Sequence, residues 1–141
     1  MKQFAEIRKV KNEVEQCFDK IKSALPKVKL SDGNCGQVAF AIAKKVKGAT
    51  IGLITDAQTE EELFTGEPTL FHVFVEYKGK MYDETGEIST SYLEDFVSRE
   101  YGPQNQDSVI YGDYPADEKT RRMISIETEW DTEWTVFYKV L

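Results

Sequence analysis

The chain holds one histidine, His72, and two cysteines, Cys17 and Cys35. Imidazole-assisted thiol chemistry therefore has to run through His72. Cys35 stands in the run SDGNCGQVAFAIAKKV, where Asp-Gly marks a turn and small and apolar residues follow at helical spacing. Asn34 reads as the N-cap of that helix and puts Cys35 in its first turn. There the free backbone N–H groups and the positive end of the helix dipole favour a thiolate. Gly36 leaves the sulfur open to an approaching backbone. His72 lies in the apolar strand pattern LFHVFVEY, and Lys78-Gly79 reads as a two-residue hairpin turn. With that turn Tyr77 faces Lys80, and counting outward His72 faces Thr85. Asp83 is then the diagonal neighbour of His72 on the same face, within reach of a ring N–H. A slip of one residue would move Asp83 to the other face.

These are the parts of nucleophilic catalysis by a thiol. Cys35 would attack a carbonyl as thiolate, and His72 would hold it as an ion pair and later protonate the leaving group. Asp83 would fix the tautomer and favour the imidazolium. The backbone N–H of Cys35 is one natural oxyanion donor, with the Asn34 side chain a further candidate. Gln37 lies roughly 200° around the helix from Cys35 and is not expected to serve. Each residue also has a plain structural reading: Cys35 as a small buried hydrophobe, His72 as a hydrogen-bonded core residue, Asp83 as a turn former. A zinc site from Cys35, His72 and carboxylates would lack both a Cys-x-x-Cys pair and a second histidine, so no metal is expected.

The elements that must position these residues follow from periodicity. Apolar residues from Phe4 through Val14, Cys17, Phe18 and Ile21 to Leu25 predict an amphipathic helix over 2–25, ended by Pro26. Cys17 belongs to that buried stripe. After the Cys35 helix, Ala49–Thr55 reads as a short buried strand. The acidic stretch DAQTEEELFTGEPT fails as a calcium loop because Glu61 stands where the sharp turn needs Gly. It reads as a loop with one helical turn at Thr59–Phe64. Strands at Leu70–Tyr77 and Lys80–Tyr82 follow, then a loop around Asp83–Gly86. Ser91 to Glu94 matches a capping box, opening a helix that runs to Gly102-Pro103. Ser108–Tyr111 reads as a strand. Beyond Pro115 the pattern predicts a helix to about Trp130 and a last strand over Glu133–Val140, with a hairpin at Asp131-Thr132 as the alternative.

A chain of 141 residues is long enough to bury a substantial core as one domain, 1–141, with its chemical motifs within 32–87. Acidic residues outnumber basic ones, for a net charge of −7, which argues against nucleic acid or an anionic membrane as partner. No apolar run suggests a leader or a span, and no disulfide framework is implied, so a cytoplasmic setting is expected.

A glycine-flanked Cys opening a helix (GNCGQVAFAI), a His in a strand (HVFVEY) and a strand ending in Asp (KMYDETG) resemble the papain-like cysteine hydrolase superfamily. Its compact members include bacteriocin-processing peptidase-like, transglutaminase-like and NlpC/P60-like domains. The DGNC start is also similar to ovarian-tumour-type deubiquitinases, in which the His comes near the domain end. The resemblance implies an α+β fold: an antiparallel sheet carrying His72 and Asp83, packed against a central helix that bears the nucleophilic Cys35 at its N-terminus. It implies hydrolysis or acyl transfer at an amide, peptide or isopeptide bond of a protein or peptide substrate, with no cofactor. Papain and the bacteriocin-processing peptidases place a Gln six residues before the Cys to build the oxyanion hole; here that residue is Lys29. Lys29 is the best support for the alternative, a catalytically silent inhibitor or adaptor on the same scaffold. The acidic Asp56–Glu67 loop between Cys35 and His72 could border the cleft and would then favour a basic substrate.

Overall fold

Asn12 starts the first of the described helices, α1 (Glu13–Ala24), through a capping box. Its side chain accepts from the Glu15 N–H while Glu15 reaches back to the Asn12 N–H. The helix is therefore shorter than the apolar repeat suggests. Val10 and Lys11 precede it, and Val10 is 85% exposed rather than part of the stripe. The computed structural model describes residues 10–30, 33–105, 107–126 and 134–141. The expected helical residues before Val10, and the stretch holding the alternative hairpin at Asp131-Thr132, lie outside these.

Among the described residues the fold is α+β, with a five-stranded antiparallel sheet and six α-helices. After α1 come α2 (Cys35–Lys45), β1 (Thr50–Thr55), α3 (Glu60–Thr65), β2 (Leu70–Tyr77), β3 (Lys80–Asp83) and β4 (Gly86–Ile88). The chain continues with α4 (Thr90–Tyr101), β5 (Val109–Tyr114), α5 (Glu118–Ile126) and α6 (Trp134–Lys139). The sheet order is β4-β3-β2-β1-β5. β2 and β3 turn at Lys78 and Gly79, both at positive φ (50° and 78°), as a two-residue hairpin requires. Their register is the one the turn dictates: Tyr77 pairs Lys80 and Val75 pairs Tyr82.

Helices cover both faces of the sheet. On one face, α1, α2, α5 and α6 supply Val14, Ile21, Val38, Ile42, Ile124 and Phe137 to a core shared with Ile51, Leu53, Val73 and Val75. On the other, α4 packs Leu93 and Val97 against Ile54, Phe71, Phe74 and Ile88. α2 is buried along Gly36–Ile42, which the small residues Gly36, Ala39 and Ala41 permit. None of the described helices is long and apolar enough to cross a membrane.

Three local expectations are corrected. β4 occupies part of what reads as loop after Asp83, because the Glu84-Thr85 turn lets Asp83 pair with Gly86. α4 is capped by Ser89, which accepts from the Tyr92 N–H, rather than by Ser91. The terminal segment is helical, not a strand. Phe137 is fully buried and Trp134 stacks edge-on against Phe40 at 5.0 Å, while Val136 and Tyr138 are 38% and 37% exposed. Burial at a three-residue step, 134 and 137, is the helical period; an alternating strand would have buried Val136 and Tyr138 with Trp134.

Candidate active site

The first turn of α2, the start of β2 and the end of β3 meet at one place. His72 Nε2 and Asp83 Oδ2 are 2.9 Å apart, and each side chain is only 2% exposed. The other carboxylate oxygen, Oδ1, accepts from the Thr85 N–H at 2.8 Å and from its hydroxyl at 2.5 Å. Asp83 is thus held on both oxygens and aimed at the ring. The half-buried Cys35 lines the same cavity as His72 and is near enough to contribute to the upward shift of the imidazole.

The electrostatics favour a charged pair. Burial alone would depress the imidazole, but the hydrogen bond and charge of Asp83, with the nearby Cys35, outweigh it and push His72 up to about 10. Burial would raise the Asp83 carboxyl; the hydrogen bonds from His72 and Thr85 outweigh that and hold it below its ordinary value. Glu84, beside them, is raised by burial and by the Asp83 charge.

The strand geometry at the site is irregular. Ile54 pairs His72 and Thr55 pairs Leu70, so Phe71 is an extra residue in β2, a bulge at the strand's start. The bulge places Leu70, Phe71, His72 and Val73 together on the wall of a cavity of about 180 Å³. Gly33, Cys35 and Gly36 form the helix side of that cavity, and Phe96, Tyr101 and Ile124 also line it. Cys35 and His72 therefore share one opening.

The structure brings Cys35, His72 and Asp83 together and leaves Asn34 out. Asn34 stands at the N-cap position of α2, yet its side chain makes no cap hydrogen bond. Its Nδ2 donates instead to the Lys29 carbonyl at 2.8 Å, and it does not line the cavity. The Asn34 side chain is thus no oxyanion donor in this arrangement. Gln37, also outside the cavity, is fully buried. The first N–H groups of α2 have no intrahelical acceptor by geometry. α1, α3 and α4 spend theirs on Asn12, Thr59 and Ser89, whereas the Asn34 side chain gives α2 no such cap.

A metal fits poorly. Side-chain donors of His72, Asp83 and Glu84 lie within 4.8 Å of one another. The His72 and Asp83 atoms nearest each other are already paired, and the second Asp83 oxygen is taken by Thr85. The acidic loop does not border the cavity either. Phe64 packs on Tyr114 at 5.8 Å, Lys119 lies over the Phe64 ring, and the Tyr111 hydroxyl donates to the Ala57 carbonyl. These contacts tie the loop to β5 and α5, and none of Glu60, Glu61 and Glu62 lines the cavity.

Sequence reasoning missed three contributors. Thr85 was legible as the residue facing His72, but its grip on Asp83 comes from the Asp-x-Thr turn. Phe96 stacks on the imidazole at 4.6 Å and Tyr101 on Phe71 at 4.8 Å. The phase of α4, set by Ser89, would have suggested both. Comparison with known proteins adds no relative: no family model, no curated protein and no solved structure matches the chain.

Proposed function

We propose that this chain is a thiol-dependent hydrolase or acyltransferase acting on an amide, peptide or isopeptide bond through a Cys35–His72–Asp83 triad on a papain-like scaffold. The observation that carries the reading is the position of His72: it touches Asp83 at 2.9 Å through one nitrogen and lines one cavity with the half-buried Cys35. In the proposed reaction the Cys35 sulfur, as thiolate, adds to the carbonyl carbon. The oxygen takes up the negative charge near the first N–H groups of α2, which the Asn34 side chain does not cap. Collapse breaks the C–N bond as His72 gives its proton to the leaving nitrogen, leaving a thioester. Water or an acceptor amine then loses a proton to His72, attacks the thioester carbonyl and releases the sulfur.

A second reading, a catalytically silent binding domain, is favoured by one pair of facts. Lys29 offers no side-chain amide, and the Asn34 amide is bound to the Lys29 carbonyl, so neither residue supplies a side-chain oxyanion donor. The two readings separate on trapping. Incubation with electrophilic peptide and ubiquitin-like probes, followed by mass spectrometry, is expected to give an adduct on Cys35 that is lost in Cys35→Ala and falls strongly in His72→Ala. Modification of Cys35 no faster in the native than in the urea-unfolded chain would leave the binding-domain reading.

A further inference from the structure

We propose that the cavity beside Cys35 is a pocket for one uncharged, apolar side chain of the acyl donor, aliphatic or aromatic, and that basic substrates are not preferred. This rests on the reading of Cys35 and His72 as the reacting centre. The walls are Leu70, Phe71, Val73 and Ile124, between 1% and 7% exposed, so the pocket is built from packed core residues and is formed before any ligand arrives. Its aromatic side is an assembly in contact: Phe71 with Tyr101 at 4.8 Å, Phe96 with Tyr101 at 6.5 Å, and Phe96 against the imidazole.

Charge decides what such a pocket accepts. Among the described residues its lining contains no carboxylate and no ammonium or guanidinium group, and the strongly polar side chains among them are Cys35, His72 and the Tyr101 phenol. A lysine or arginine side chain entering would lose hydration with no counter-charge to replace it. It would also approach an imidazole that its surroundings keep protonated. An acidic side chain meets the same desolvation cost and would compete with the thiolate for His72. An apolar side chain loses nothing and gains the walls. Specificity by such a pocket comes from exclusion as much as from attraction. Tyr101, 41% exposed at the last turn of α4, forms the rim.

The test is a series of haloacetamides read at Cys35 by peptide mapping, each rate normalised to that of free glutathione. N-phenethyl-iodoacetamide is expected to react with the native chain about tenfold faster than iodoacetamide, the scale of burying a small apolar group in a pocket. A trimethylammonioethyl analogue and iodoacetate are expected to show no gain. Tyr101→Ala should reduce the phenethyl preference several-fold. The combined variant Glu60→Gln, Glu61→Gln and Glu62→Gln should leave the whole pattern unchanged. A phenethyl rate equal to that of iodoacetamide, a gain for the cationic reagent, or a cationic gain removed by neutralising the three glutamates overturns the proposal. Those results would leave the triad standing provided iodoacetamide still reacts faster at Cys35 in the native chain than in urea. Equal native and unfolded rates for every reagent overturn both.

Discussion

Asp83 and His72 are eleven residues apart in the chain and meet at 2.9 Å, Oδ2 to Nε2, in a place where each is 2% exposed. The contact is diagonal across a hairpin, and it exists because Lys78-Gly79 sets the register that puts both side chains on one face. A buried pair of this kind makes one partner costly to remove. Asp83→Ala is expected to destabilise the fold by about 3 kcal/mol or more, since it strands the imidazole without its hydrogen-bond partner. Urea denaturation would measure this. In a turnover or probe-labelling assay, His72→Ala should lose on the order of 10²–10⁴-fold. Asp83→Asn should lose less, because it acts through the ring.

Thr85 is expected to position the carboxylate. Thr85→Val keeps the backbone N–H donor but removes the hydroxyl that meets Asp83 at 2.5 Å. Because that hydroxyl helps hold the carboxyl below its ordinary value, its loss should raise the pH at which activity and stability fall on the acid side. Thr85→Ser should restore the profile. A profile unmoved by Thr85→Val, with stability within about 1 kcal/mol of the native chain, would reduce Thr85 to a turn residue.

The pH dependence of stability has a defined sign. His72 is raised from its ordinary value near 6.5 to about 10, so between these the folded state binds a proton that the unfolded state does not. The stabilisation is fully present below 6.5 and is lost as pH rises through about 10. Asp83, held low, contributes stability above its ordinary value that is lost as pH falls through its folded value. Midpoints of urea unfolding across pH 5 to 10 should decline on the alkaline side in the native chain. His72→Gln should flatten that decline.

Two core substitutions test the packing. A Cβ at Gly52 would stand 2.5 Å from the Phe74 ring, which is fully buried, so Gly52→Ala should cost about 1–3 kcal/mol. Phe137→Ala should cost about 3–5 kcal/mol, while Val136→Ala changes stability by less than about 0.5. The reverse order would restore a strand at the C-terminal segment.

Much of the site was legible before folding. A single histidine, a glycine-flanked cysteine at a helix start and a two-residue turn at Lys78-Gly79 suffice to name Cys35, His72 and Asp83, because register is a local consequence of turn chemistry. What the linear pattern could not supply is the part that depends on distant neighbours. Alternation over Trp134–Val140 points to a strand, yet docking on α2 buries Phe137 and makes the segment helical. Asn34 has the right residue type and position for a cap, but it sits in helical φ/ψ with its Nδ2 on the Lys29 carbonyl, and its oxygen caps nothing. The acidic loop lies between Cys35 and His72 in the chain and is held against β5 and α5 in space. Turn geometry and short-range periodicity are written in consecutive residues. Which groups compete for a hydrogen bond, and which walls close a cavity, are settled only when residues far apart in the chain are packed together.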